Sequence, residues 1–190
     1  LAFYLGGCPK QIESLIKENP RWQDSCLEDL SCSLRLQSKS GLYRIFNSAF
    51  QYAHRRNISR VTLADKPNVL RNSSQHARSI FEEVSSDFPK IKADILNVDA
   101  IALWMIRRPE EFGVIVAENM FGDILSDLGA GVMGGLGFAS SANIGLNGCY
   151  FEPVHGSAPR IGKNLPNPSA MFLTVGLMLE HFGHQDKAAN

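Results

Sequence analysis

The chain has 190 residues, in which 19 Lys and Arg balance 19 Asp and Glu, and 44% of positions are hydrophobic. Nucleic-acid binders draw on a basic excess to neutralise phosphates, and none exists here; the apolar content is equally unlike that of a disordered chain. No run of about 18 apolar residues occurs, the length a membrane-spanning helix needs, so a soluble protein with neither nucleic-acid nor membrane partners is expected.

Four cysteines, Cys8, Cys26, Cys32 and Cys149, form no CxxC pair. Free thiols in a reducing compartment are expected, hence the cytoplasm or, in a eukaryote, the mitochondrial matrix. The chain opens on Leu1-Ala2-Phe3-Tyr4 without Met and without a basic region followed by an apolar core. It reads as the interior of a longer protein.

In chain order, Leu42, Ile45, Phe46, Ala49, Phe50 and Ala53 recur at helical spacing, which predicts a helix over 41–57 lying on a core. Arg60-Val61-Thr62-Leu63-Ala64-Asp65 is short and rich in strand formers, delivering Asp65 and Lys66 to a loop at its carboxyl end. A helix is predicted over 73–87, with Ala77, Ile80, Phe81 and Val84 inward and Pro89 beyond its end. A strand over 95–98 is closed by Asp99, and a helix over 100–108 is stopped by Pro109. Gly113 to Ala117 reads as a buried strand and 120–132 as a helix, with Ile124, Leu125 and Leu128 on its core face. Strand and helix alternate, which predicts an α/β layered sheet with flanking helices, at least partly parallel.

After Gly131, glycines and prolines crowd a loop-rich stretch. Asn167-Pro168 then opens a last helix, with Asn167 as its cap. Met171, Phe172, Leu173, Val175, Leu177, Met178 and Leu179 make it apolar on most sides, so it is expected to be largely buried.

Asp123 and Asp127 stand four apart, on one side of a helical turn. Stacked carboxylates repel unless a positive charge lies between them, and oxygen ligands suit Mg²⁺ or Mn²⁺. On spacing alone, a solvated acidic face is the simpler reading. Asp99 and Lys66 are both placed at carboxyl ends of strands, where ligands gather in open α/β sheets. Lys66 precedes Pro67 and Asn68 on a constrained loop. An amine beside a cation suits a general base, although a surface lysine is the blander alternative. No GxGxxG stands between a strand and a helix, and His155-Gly156-Ser157-Ala158-Pro159 is too poor in glycine to be one.

Several strings decide between these alternatives. Glu118 through Asp127 (ENMFGDILSD), Gly134-Gly135-Leu136-Gly137, Ser141-Ala142-Asn143-Ile144-Gly145, Phe151 through Pro159 (FEPVHGSAP) and Asn167-Pro168 occur in order. Together they closely resemble the isocitrate and 3-isopropylmalate dehydrogenase family, with the likeness clear over 44–181. The resemblance implies a β-decarboxylating dehydrogenase that uses Mg²⁺ or Mn²⁺ and NAD or NADP on a small 2-hydroxy acid carrying a neighbouring carboxylate. It assigns Asp99, Asp123 and Asp127 to the metal, with Asp99 given by the partner subunit, and Lys66, also given across a homodimer, to proton abstraction. Asn68 corresponds to a residue near substrate and nicotinamide. His155, Gly156, Ser157, Ala158 and Asn167 correspond to the loop and helix start that hold the adenosine part. An isopropylmalate dehydrogenase-like, two-domain fold is implied, lacking its amino-terminal part. Residues 1–132 would form the central dimer-forming domain and 133–190 an incomplete cofactor-binding portion, and a piece with unpaired sheet edges is not expected to turn over substrate alone.

The likeness has departures. Leu15-Ile16-Lys17-Glu18-Asn19 resembles the family's strand and loop, with Lys17 in place of a substrate-binding arginine and Asp24 in place of the catalytic tyrosine. Lysine still attracts a carboxylate but lacks the bidentate fork. An exposed aspartate is ionised at neutral pH and is no equivalent proton donor. Arg160 stands where members using NAD place an acid, and its charge suits the 2′-phosphate of NADP. Glu18-Asn19 and the Ser141–Gly145 string lean toward isocitrate or homoisocitrate, Asp65-Lys66 toward isopropylmalate, and tartrate or malate stay open. Lys17 and Asp24 also raise a second reading, a non-catalytic or regulatory subunit.

Overall fold

In the computed structural model, residues 2–4, 10–24, 33–157, 159 and 166–188 are described. The elements are β1 (Ala2–Tyr4), α1 (Lys10–Lys17), β2 (Ser33–Arg35), α2 (Lys39–Arg55), β3 (Arg60–Asp65), α3 (Arg71–Ser85), β4 (Lys92–Asn97), α4 (Val98–Arg107), β5 (Val114–Ala117), α5 (Asn119–Val132), β6 (Ser140–Ile144), β7 (Cys149–Pro153), α6 (Ser169–His181) and α7 (Gln185–Ala188).

A three-stranded parallel sheet, ordered β4-β3-β5, is the centre of the fold. Parallel neighbours require crossover helices, and α3 and α4 supply them. Alternation along each strand divides the sheet into two faces. Val61, Leu63 and Val116 point to a core shared with Leu42, Phe46, Phe50 and Ala53 of α2 and Ala77, Ile80, Phe81 and Val84 of α3. Phe50 stands 5.4 Å from Phe81 and 5.3 Å from Phe88 between ring centroids, and Phe46 meets Phe81 edge-on. Ala64 faces the other way, onto Ile101 of α4 and Leu125 of α5. The sheet is thus a helix-covered α/β layer, as the strand-helix alternation predicts.

Local chemistry sets the boundaries. Ser38 Oγ accepts from the Gly41 N–H at 3.1 Å and caps α2. Gly113 is obligatory before β5, because a Cβ there would lie 2.3 Å from the Arg60 carbonyl oxygen. Gly134 and Gly135, with φ of 110° and 114°, turn the chain out of α5.

Three expectations need correction. The stretch around Leu15–Lys17 is helical in α1 rather than a strand, because Ile12, Leu15 and Ile16 follow helical spacing and Glu13 pairs with Lys17 one turn on. The glycine-rich stretch after Gly131 contains an antiparallel hairpin, β6 with β7, turned by Gly145 to Gly148. The last helix, α6, is not largely buried: Ala170 and Thr174 are, whereas Met171, Phe172, Leu173 and Val175 are exposed. It packs on the hairpin, with Phe151 against His181, and on α7, yet much of its apolar surface stays uncovered, so apolar composition exceeds what the described residues cover.

Candidate active site

Strand register places the first pair. Asp65 of β3 lies opposite Asn97 of β4 in parallel, so the residues just beyond them leave the sheet at the same carboxyl edge. Lys66 Nζ donates to Asp99 Oδ1 at 2.6 Å, with the lysine side chain mostly covered and the aspartate 66% exposed. The Lys66 ammonium, followed by the Asp99 backbone N–H, holds the Asp99 carboxyl below its ordinary value of 3.8. Asp99 does not close β4 but lies in the first turn of α4, after Asn97 in extended conformation. A carboxylate there meets unpaired N–H groups and the positive end of the helix.

Behind Lys66 lies Asp65, which is buried. Its Oδ1 accepts from the Lys66 backbone N–H at 2.7 Å and from Ser74 Oγ at 2.6 Å, and its Oδ2 accepts from Arg78 Nε at 2.6 Å. The Lys66 carbonyl in turn accepts from the N–H groups of Val69 and Leu70, at 3.1 and 2.9 Å. Asn68 is exposed on that turn. Sequence reasoning did not single out Asp65, Ser74 or Arg78 as a group. The available signal was an acid ending an apolar strand, with a hydroxyl and a guanidinium four apart on the following helix.

The carboxyl end of β5 opens α5. Glu118 Oε1 accepts from the Phe121 N–H at 3.2 Å as the helix cap, while Oε2 lies 2.7 Å from Arg35 Nη2. Arg35 also spans the Phe121 ring at 5.6 Å. Asp123 and Asp127 are exposed on α5, and Asp123 Oδ2 accepts from Asn119 Nδ2 at 3.3 Å. The core face of α5 is Phe121, Leu125 and Ala130; Ile124, expected there, is 59% exposed beside the two acids. One helical residue is 100° of rotation, which takes Ile124 off the Leu125 stripe. Among the described residues no three His, Cys, Asp or Glu side chains gather closely enough to hold a metal, so Asp99 does not join Asp123 and Asp127 within one chain.

The expected cofactor residues lie further along. His155, Gly156 and Ser157 are exposed, with His155 Nδ1 3.0 Å from the Gly156 carbonyl oxygen. Ala158 and Arg160 fall outside the described residues. Asn167 sits one place before the cap position, which Pro168 occupies, yet its Oδ1 accepts from the Ser169 N–H at 3.0 Å and tethers the start of α6. Gly137 approaches closely, for a Cβ there would lie 3.4 Å from Asn167 Cβ, which brings the Gly134–Gly137 string to the helix start. Lys17 is exposed on α1 and pairs with Glu13 at 2.7 Å rather than with the Lys66–Asp99 pair; Asp24 is exposed as well.

The isocitrate/isopropylmalate dehydrogenase family matches residues 7–190. Protein DlpA of Legionella pneumophila is 65% identical over 95% of this chain, which spans 29% of that relative. The 3-isopropylmalate dehydrogenase of Methanothermobacter thermautotrophicus is 48% identical over 81% of the chain and 47% of its own length. Among solved structures, isocitrate dehydrogenase from Methylococcus capsulatus superposes with a TM-score of 0.80 and 42% identity, over 85% of this chain and 48% of that one. The chain therefore spans about half the length of these two dehydrogenases and less than a third of DlpA. With one family model matching nearly every residue and the same layered sheet in a solved dehydrogenase, the chain belongs to the isocitrate/isopropylmalate dehydrogenase family.

Proposed function

We propose that the protein containing this chain oxidatively decarboxylates a 2-hydroxy di- or tricarboxylic acid with Mg²⁺ or Mn²⁺ and NAD or NADP. The observation that carries the reading is the Lys66–Asp99 pair at the carboxyl edge of a parallel sheet, in a chain whose α5 presents two exposed carboxylates. Isocitrate or homoisocitrate is favoured as substrate, then 3-isopropylmalate, then tartrate or malate. Relatives named for isocitrate and for isopropylmalate both resemble the chain.

The donor set fits a hard divalent ion, since Asp99, Asp123 and Asp127 offer carboxylate oxygens alone. They do not meet within one chain, so a second copy would bring its Asp99 to the first copy's Asp123 and Asp127. Leu103 and Ile106 of α4 and Met120 and Ile124 of α5 are exposed apolar residues flanking these acids, a surface suited to such a homodimer. The bound cation supplies Lewis acidity toward the substrate hydroxyl and carboxylate, and the nicotinamide supplies the hydride acceptor. Asp99 holds the Lys66 side chain in place; with the cation's charge favouring its neutral form, the Lys66 amine would take the hydroxyl proton, and Asn68 would orient substrate and nicotinamide from the same turn. His155, Gly156, Ser157 and Asn167, with Ala158 and Arg160, hold the adenosine end, the Arg160 charge favouring NADP. Residues 1–132 serve as the dimer-forming domain and 133–190 as part of the cofactor-binding one.

A non-catalytic or regulatory subunit of the same family is the second reading. It draws on Lys17 and Asp24, where an arginine and a tyrosine are expected. The test is reduced-cofactor formation by the full-length protein with Mg²⁺, each nicotinamide cofactor and a panel of 2-hydroxy diacids and triacids. Turnover of one panel member is the expected result; metal binding without turnover of any selects the regulatory subunit. Asp127→Asn should weaken Mg²⁺ binding about tenfold or more, with turnover falling alongside, because one anionic ligand is lost. An unchanged metal titration in that variant would remove α5 from the site.

A further inference from the structure

We infer that Asp65 is the positioning residue of this site: its buried carboxylate fixes the backbone from which Lys66 reaches Asp99. The inference deepens the proposed function and rests on Lys66 being the base. A carboxylate withdrawn from water must recover its hydrogen bonds. Asp65 does so completely enough to explain its burial, with one oxygen taken by Ser74 and the Lys66 N–H and the other by Arg78.

Two of these partners belong to α3 and one to the turn itself, and this division gives Asp65 its role. Ser74 is buried, and α3 is anchored through Ala77, Ile80, Phe81 and Val84 in the larger core. The carboxylate therefore ties the Lys66 N–H to a helix that cannot shift without disturbing that core. On its other side the Lys66 carbonyl is held by the N–H groups of Val69 and Leu70, and Pro67 restricts the backbone between. Both peptide groups of Lys66 are thus pinned. The freedom left to the residue is its side chain, four carbons long, whose amine lies 2.6 Å from Asp99.

A base acts from a defined distance, and displacement by about 1 Å can cost on the order of 100-fold in rate. Without Asp65 the Lys66 N–H loses its acceptor and the turn is released from α3. Asparagine at the same place keeps an oxygen for the Lys66 N–H and for Ser74, and meets Arg78 with an N–H instead of an acceptor. The two substitutions thus separate the bond to Lys66 from the bond to Arg78.

The experiment compares Asp65→Ala, Asp65→Asn and wild type in the full-length protein. In Asp65→Ala, kcat is expected to fall about 10- to 100-fold with substrate KM within about threefold, while Asp65→Asn recovers most of kcat. Equal losses in the two variants, or losses that follow the folded fraction in thermal unfolding, overturn the inference. Should wild type turn over no substrate, the proposed function fails and the inference is read from chemistry alone. An amine-acylating reagent with mass-spectrometric readout then measures Lys66 labelling against the other lysines of the folded protein. Faster labelling of Lys66 in Asp65→Ala but not in Asp65→Asn supports positioning, and an unchanged Lys66 rate in both overturns it.

Discussion

The two faces of the central sheet are finished to different degrees. Toward α2 and α3, thirteen of the described residues form one buried apolar cluster that includes Phe46, Phe50 and Phe81, and its aromatic rings fill the space between helices. Toward α4 and α5 the buried cluster among the described residues is smaller, Ala64, Ile101 and Leu125, backed by half-buried neighbours such as Leu96, Met105 and Leu128. The same two helices leave Leu103, Ile106, Met120 and Ile124 exposed, and they carry Asp99, Asp123 and Asp127. One face is closed by the chain itself; the other carries the three acids on which the proposed function draws and leaves apolar side chains uncovered. The division suits the shared active site proposed above, because residues that must meet a partner's residues cannot also be sealed inside a monomer core.

That contrast can be broken at either face. The largest effect is expected for Phe50→Ala, which removes a fully buried ring from between Phe81 and Phe88. Loss of its transfer energy and the residual cavity should destabilise the fold by about 3–5 kcal/mol, measured by denaturant unfolding. A value below about 1 kcal/mol would mean that the aromatic cluster is not the anchor of the sheet. On the opposite face, Ile106→Lys alters a side chain that is 63% exposed in the single chain, so intrinsic stability should change by no more than about 0.5 kcal/mol. Self-association should nevertheless weaken tenfold or more, about 1.4 kcal/mol, when a charge enters an apolar interface. Sedimentation velocity of the full-length protein decides it; an unaltered association constant would place the partner surface elsewhere.

The closed face was the legible one. Leu42, Phe46, Ala49, Phe50 and Ala53 recur at helical spacing, and the strand from Arg60 to Asp65 delivers Lys66 to the sheet's edge as its sequence implies. The placing of Lys66 and Asp99 at carboxyl ends of strands was legible to within one element boundary, whereas their pairing was not, because it depends on β3 and β4 being neighbours. Elsewhere the signal was insufficient for physical reasons. Around Lys17 the resemblance implied a strand, whereas Ile12, Leu15 and Ile16 follow helical spacing and the segment is helical in α1. In α6 the composition reports apolar content but not which element covers it, and Phe172 is 72% exposed. The Asp65 network depends on how closely α3 approaches the end of β3, a distance that no one-dimensional spacing encodes. Ile124 failed for a similar reason, since it lies between the core stripe and the acidic stripe and packing alone assigns its side.

The smallest effect sharpens the chemistry of the open face. Asp99 is held below its ordinary 3.8 first by its hydrogen bond to Lys66 and then by its own backbone N–H. A depressed folded-state pKa means that the pair's contribution to stability is complete above the unfolded value and fades as pH falls through the folded one. Metal-free protein should therefore keep the Lys66–Asp99 pair from neutral pH down to the ordinary aspartate range and lose it only below that. Because the Asp99 side chain is largely in water, the stability at stake is small, and the observable is the titration midpoint itself. Following the Asp99 carboxyl carbon by NMR, the midpoint should lie below 3.8 in wild type and rise in Lys66→Met, where the leading hydrogen bond is gone but the helix start remains. If the midpoint is the same in both proteins, the lysine does not hold Asp99 in solution, and the pair is brought together only when a partner or substrate arrives.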